Sequence, residues 1–106
     1  MQLSSPVRTY FDAEQQNDAD TLAAAFTDDA VVRDEGAEHV GPAAIRAWWQ
    51  AAKAKYRHVA EPIDAIPADG RTVVRARVTG QFPGSPATLT FSFMLAGDRI
   101  ARLEIG

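Results

Sequence analysis

The chain has 106 residues, 46% of them apolar and 24% charged, with a formal net charge of −3 and no cysteine. That length allows one compact domain, and its mass implies a folded surface of roughly 5,800 Å². The composition excludes a disulfide framework, a thiolate nucleophile and a zinc site built on sulfur. It also argues against phosphate-backbone binding, and no apolar run nears the ~20 residues of a membrane helix.

The N-terminal stretch has no basic segment followed by an apolar one, so no secretory signal is expected and a cytoplasmic setting is. Charge is uneven: residues 1–38 carry nine acids and two bases, and the remainder five acids and nine bases. Two differently built halves explain this without invoking two partners.

The first half has helical spacing. Just after Ser5-Pro6, a usual N-cap and first-turn pair, Val7, Tyr10, Phe11 and Glu14 fall on one helix face at i, i+3, i+4 and i+7. Asn17 suits the left-handed residue that ends it, and Asp18 suits the cap of the next. The second helix is short, with Leu22 and Phe26 as core contacts and Thr27-Asp28-Asp29 closing it. A brief strand is expected over 30–35. Gly41-Pro42 then opens a third helix with the apolar stripe Ile45, Trp48, Trp49 and Ala52.

The second half alternates as antiparallel strands. One is expected over 57–66, where Pro62 requires an edge or a bulge. After the Ala68-Asp69-Gly70 turn, Val74, Ala76 and Val78 face opposite to Val73, Arg75 and Arg77. Beyond the Pro83–Pro86 loop, Leu89, Phe91, Phe93 and Leu95 share one face and Thr88, Thr90 and Ser92 the other. The last strand sets Ala101, Leu103 and Ile105 against Arg102 and Glu104. Helices followed by a meander predict an α+β fold, residues 1–106 forming one domain.

The stretch Tyr10–Trp49, with N-D-x-D at 17–20 and the words AAFTDDAVVRD and HVGPAAIRAWW, resembles the nuclear transport factor 2-like superfamily. Within it, the resemblance is to the SnoaL-like and ketosteroid isomerase-like branch, and it extends over nearly the whole chain. It implies a cone: three N-terminal helices packed on a curved, mostly antiparallel sheet, with an apolar pocket at the open end. It also implies roles. Tyr10 matches the isomerases' hydrogen-bonding tyrosine, and Asp34, 24 residues on, matches their catalytic base. The position of their protonated oxyanion-hole acid falls on Leu89, which donates nothing.

Enone isomerisation needs a base to move a proton next to a carbonyl and donors for the developing oxyanion. A carboxylate in an apolar pocket and a buried tyrosine suit these tasks. If Asp34 faces the pocket, strand parity brings Val32 in with it. Phe26, Trp48, Trp49, Leu89, Phe91, Phe93 and Leu103 complete an aromatic and aliphatic wall suited to a flat hydrophobic ligand. Asp28-Asp29 reads as structural. His39, in a loop before the third helix, is either solvated or at the pocket mouth, and His58 carries less weight. No two-histidine metal spacing occurs, and no cofactor is expected.

Arg75, Arg77 and Arg102 make the sheet's outer face polar, either solvated or the surface of a homodimer. Three functions stay open: an acid–base enzyme acting on a steroid- or polyketide-like carbonyl compound, a non-catalytic binder of a small hydrophobic ligand, or a protein-interaction module.

Overall fold

In the computed structural model, which describes residues 2–106, two helices precede any strand: α1 (Ser5–Gln15) and α2 (Ala19–Ala24). Residue 1 of the expected domain lies outside the described residues. Asn17, at φ 59°, turns the chain between them, and the Asp18 carboxylate accepts from the Thr21 backbone N–H at 3.1 Å. These are the two local signals the sequence carries there.

The next segment departs from expectation. Phe26–Asp29 do not finish a helix but begin β1 (Phe26–Asp34), which pairs with the far end of the chain at Phe26 and, after a register shift, again from Val31. Phe26 lies opposite Ile100, and the Ile100 N–H donates to the Ala25 carbonyl at 2.8 Å. His39 is likewise in no loop. It sits on β2 (Ala37–Val40), joined to β1 by a hairpin whose turn residues Glu35 and Gly36 both have positive φ. A glutamate in that conformation is an uncommon turn signal, which hid the hairpin.

Helix α3 (Pro42–Tyr56) therefore follows the first hairpin, so the three helices are not an uninterrupted N-terminal block. The strands β3 (Val59–Ala68), β4 (Arg71–Thr79), β5 (Ala87–Ala96) and β6 (Arg99–Ile105) form the meander. The six strands lie in the order β2-β1-β6-β5-β4-β3, every pair antiparallel except β1 with β6. β3 is an edge strand with an irregularity between Pro62 and Asp64, which satisfies the demand that Pro62 made.

One face of the sheet meets the helices. Val74, Ala76 and Val78 of β4 and Phe91 and Phe93 of β5 are buried there, as their alternation predicts. A second irregularity, between Met94 and Leu95, resets the register of β6, so Ile100 rather than Ala101 joins Leu103 in the core. Bulges bend strands and increase twist. The outer face is polar: Arg75 is hydrogen-bonded to Asp64, and Arg102 to Glu104. The accessible surface, 5928 Å², agrees with that of an ordinary folded chain of this size.

Gly80 marks the closest backbone approach. A Cβ there would stand 2.7 Å from the Tyr56 carbonyl oxygen and 3.0 Å from the His58 Cα. The glycine lets the loop after β4 seal against the end of α3, and the Gln81 N–H donates to that same carbonyl at 2.6 Å.

Candidate functional site

A cavity of about 550 Å³ opens between α3 and the inner face of the sheet. Its floor is apolar: Val78 from β4, Leu89 and Phe91 from β5, and Ile105 from β6. Helix α3 supplies Trp48, Ala51, Ala52, Lys55 and Tyr56 along one wall, and Phe82 and Pro83 of the β4–β5 loop close another. A site of this size and lining suits a small, flat, mainly hydrophobic compound.

Tyr10 and Asp34 both border it. Helix α1 carries Tyr10 into an aromatic nest, with ring centroids 5.2 Å from Phe11, 5.5 Å from Phe93 and 6.1 Å from Phe26. Only 2% of Tyr10 is exposed, and among the described residues its hydroxyl has no protein partner. Burial pushes its pKa well above the ordinary phenol value, and the negative charges of Glu14 and Asp34 push the same way. The hydroxyl therefore stays a proton donor throughout the neutral range.

Asp34 ends β1, half-buried, and its Oδ2 accepts from Trp48 Nε1 at 3.1 Å. Burial raises its pKa above the ordinary aspartate value, an effect the Trp48 hydrogen bond only partly offsets. Desolvation strengthens the carboxylate as a base. The indole that holds it also packs on His39, with centroids 5.8 Å apart.

This arrangement makes Trp48 a positioning residue with a measurable signature. Trp48→Phe removes a hydrogen bond to the charged form, so the Asp34 pKa should rise further. Carboxyl NMR titration reads it directly; an unchanged value would mean that the indole does not hold the carboxylate in solution.

Of the expected wall, Trp48, Leu89 and Phe91 do line the cavity. Phe26, Val32, Trp49, Phe93 and Leu103 do not: each is at most 3% exposed and packs in the core behind it. Their inward parity is correct, but parity names a face and not a depth along the strand. α1 covers Phe93 and Phe26 through Tyr10 and Phe11. Trp49, about 100° around the helix from Trp48, turns to the core.

The sequence reading gave Glu14 no chemical role. It is 1% exposed, the one buried charged side chain among the described residues, and it borders the cavity. Its Oε1 accepts from Lys53 Nζ at 2.7 Å and lies 3.1 Å from His58 Nε2, while its Oε2 accepts the Ala60 N–H at 3.0 Å. Lys53 also donates to the His58 carbonyl. Burial favours the neutral acid, but the bonds from His58, Lys53 and Ala60 outweigh it and hold the Glu14 pKa below its ordinary value. A carboxylate at the i+7 position of an otherwise apolar helix face was the available signal.

His39 and His58 both line the cavity, which reverses the small weight their local sequence gave them. At the mouth, the Tyr56 hydroxyl donates to Glu35 at 3.3 Å and Lys55 lies over the Tyr56 ring. Among the described residues, no three histidine, cysteine, aspartate or glutamate side chains group as metal ligands, and no helix is long and apolar enough to cross a membrane.

Comparison with known proteins agrees with the fold. The family model of the SnoaL-like domain matches residues 7–103. A solved structure from Sinorhizobium meliloti, provisionally described as a polyketide cyclase, is 52% identical with a TM-score of 0.95 over 98% of this chain and 95% of that one. An uncharacterised Novosphingobium aromaticivorans protein described as having a cystatin fold is 25% identical, with a TM-score of 0.79 over 99% of both chains. A Catenulispora acidiphila protein of ketosteroid isomerase-like fold shares the architecture at 18% identity, with a TM-score of 0.86 over 99% of this chain and 86% of that one. Among curated proteins, none matches the chain.

Proposed function

Because the chain belongs to the SnoaL-like domain family, we propose that its cavity takes a small, flat, hydrophobic carbonyl compound, steroid- or polyketide-like, and catalyses acid–base chemistry on it. Asp34 removes a proton from the carbon next to the carbonyl, and Tyr10 donates a hydrogen bond to the oxygen as it gains negative charge. Returning the proton to another carbon isomerises the compound. Attack of the enolate carbon on a second carbonyl of the same molecule would close a ring, breaking that carbonyl's π bond and giving an alkoxide that takes up the proton Asp34 removed. The observation that carries this reading is a desolvated carboxylate and an unpartnered buried phenol bordering one apolar cavity. The similarity to a protein provisionally described as a polyketide cyclase supports the substrate class.

The test is hydrogen–deuterium exchange next to the carbonyl of 2-tetralone, a flat apolar ketone, followed by proton NMR in heavy water. Acceleration above buffer is expected. Binding without acceleration would favour the second reading, a pocket that holds such a ligand without turning it over. Leu89 favours that second reading, since it lines the cavity where a second oxyanion donor would be needed. Losing one such donor costs ~10²–10³ in rate.

The reading treats residues 1–106 as one cytoplasmic domain that forms a homodimer through the outer face of the sheet. There Ile66 and Met94 are exposed among the arginine–carboxylate pairs. Sedimentation at micromolar concentration should give the dimer mass; a monomer would remove that part of the proposal.

A further inference from the structure

The polar groups of the cavity are not scattered. Asp34 stands on β1, and the Glu14–His58 pair stands beside the start of β3. Strands β6, β5 and β4 lie between those two in the sheet, and they contribute only the apolar Ile105, Leu89, Phe91 and Val78. In a flat sheet, β1 and β3 would be about 19 Å apart, so the curl of the sheet brings two polar poles to one cavity across an apolar floor.

The chemistry of the second pole follows from its donors. Glu14 accepts from Lys53 and from the Ala60 N–H, and His58 Nε2 lies 3.1 Å from its Oε1. An ionised carboxylate only accepts, so Nε2 must carry a hydrogen. In the neutral imidazole this leaves Nδ1 as a lone pair. Among the described residues Nδ1 makes no hydrogen bond to protein and is not a buried orphan, and His58 borders the cavity. A carboxylate that orients a histidine and selects its tautomer leaves the other nitrogen available to accept.

We propose that His58, held by Glu14, is the acceptor for a hydroxyl group on the ligand, so that the site selects flat hydrophobic compounds bearing a phenolic or enolic hydroxyl at the end remote from Asp34. This rests on reading the cavity as the ligand site, but not on Asp34 being catalytic.

Three probes sharing one naphthalene ring system test it: 2-naphthol, 2-methoxynaphthalene and naphthalene, with affinities measured by NMR titration. The wild-type protein should bind 2-naphthol about tenfold more tightly than 2-methoxynaphthalene, the difference one well-made hydrogen bond provides. His58→Leu should abolish that preference while retaining naphthalene. A preference that survives His58→Leu overturns the proposal. So does equal binding of 2-naphthol and 2-methoxynaphthalene by the wild type.

If none of the three binds, the cavity is not the ligand site and both readings fall. A His58-dependent preference without exchange of 2-tetralone removes only the catalytic reading. A measurement on the wild type stands independently of whether His58→Leu folds. The ¹⁵N resonances of His58 should show a protonated Nε2 and a bare Nδ1, with Nδ1 moving on addition of 2-naphthol and not of 2-methoxynaphthalene. A protonated Nδ1 in the neutral ring overturns the assignment.

Discussion

Asp34→Asn should lower the rate of 2-tetralone exchange by about 10²–10⁴-fold, the usual contribution of a positioned general base, while the fold and the affinity for the ketone persist. The substitution is isosteric, and an amide can still accept from Trp48 Nε1 through its carbonyl oxygen, so the hydrogen bond at 3.1 Å is retained. What disappears is the basic lone pair. The wild-type pH profile supplies a second check. Burial raises the Asp34 pKa, so the fraction in the basic form, and with it the rate, should fall as pH drops through a value above the unperturbed ~3.9. An acid limb at or below ~3.9 would mean a solvated group. A variant as fast as wild type would transfer the role to another group and end the case for Asp34 as base.

Glu14→Gln should be the most destabilising single change at the site, costing about 3 kcal/mol, the low end of the range for breaking a buried ion pair. In a domain of this size that lowers Tm by on the order of 15 °C. Glu14 is 1% exposed, and Lys53 keeps only 16% of its side chain exposed, so neither partner can turn to solvent for compensation. A glutamine amide also presents hydrogens to a cluster that consists of donors. Replacing both partners, Glu14→Leu with Lys53→Met, should recover much of the loss, since the desolvation cost is removed along with the attraction.

The sign with pH is definite. The folded-state pKa of Glu14 lies below its unfolded value, so its ionisation stabilises the fold above ~4.3. That contribution should vanish as pH falls from there through the folded pKa. Urea unfolding should therefore show wild type and Glu14→Gln converging in acid. A loss below ~0.5 kcal/mol at neutral pH would mean that the cluster is hydrated in solution.

The elements the sequence announced most clearly are those whose signals are local. Pro6 marked the first turn of α1, although Ser4 and not Ser5 stands at its N-cap; Asp18 capped α2, Gly41-Pro42 opened α3 and Asp69-Gly70 turned β3 into β4, each through backbone preferences that need no distant partner. The alternation of β4 and β5 likewise placed Val74, Ala76, Phe91 and Phe93 inward, because a strand's pleat is a property of the strand. The resemblance carried by residues 10–49 named the family that the model matches over residues 7–103.

Features made by pairing across the chain were less legible. Phe26 began a strand by pairing with Ile100 of β6, more than seventy residues later. The β1–β2 hairpin turned on a glutamate in a conformation that few glutamates adopt. At the site, strand alternation put Leu89 on the inner face, but it left the direction of Asp34 conditional and did not choose between Trp48 and Trp49. The tertiary structure alone decided which inward-facing residues reach the cavity and which, like Phe93 and Leu103, fill the core beneath it. It alone also joined Glu14 to Lys53 and His58, because ion pairing depends on distance in space, and those three side chains come from separate places along the chain.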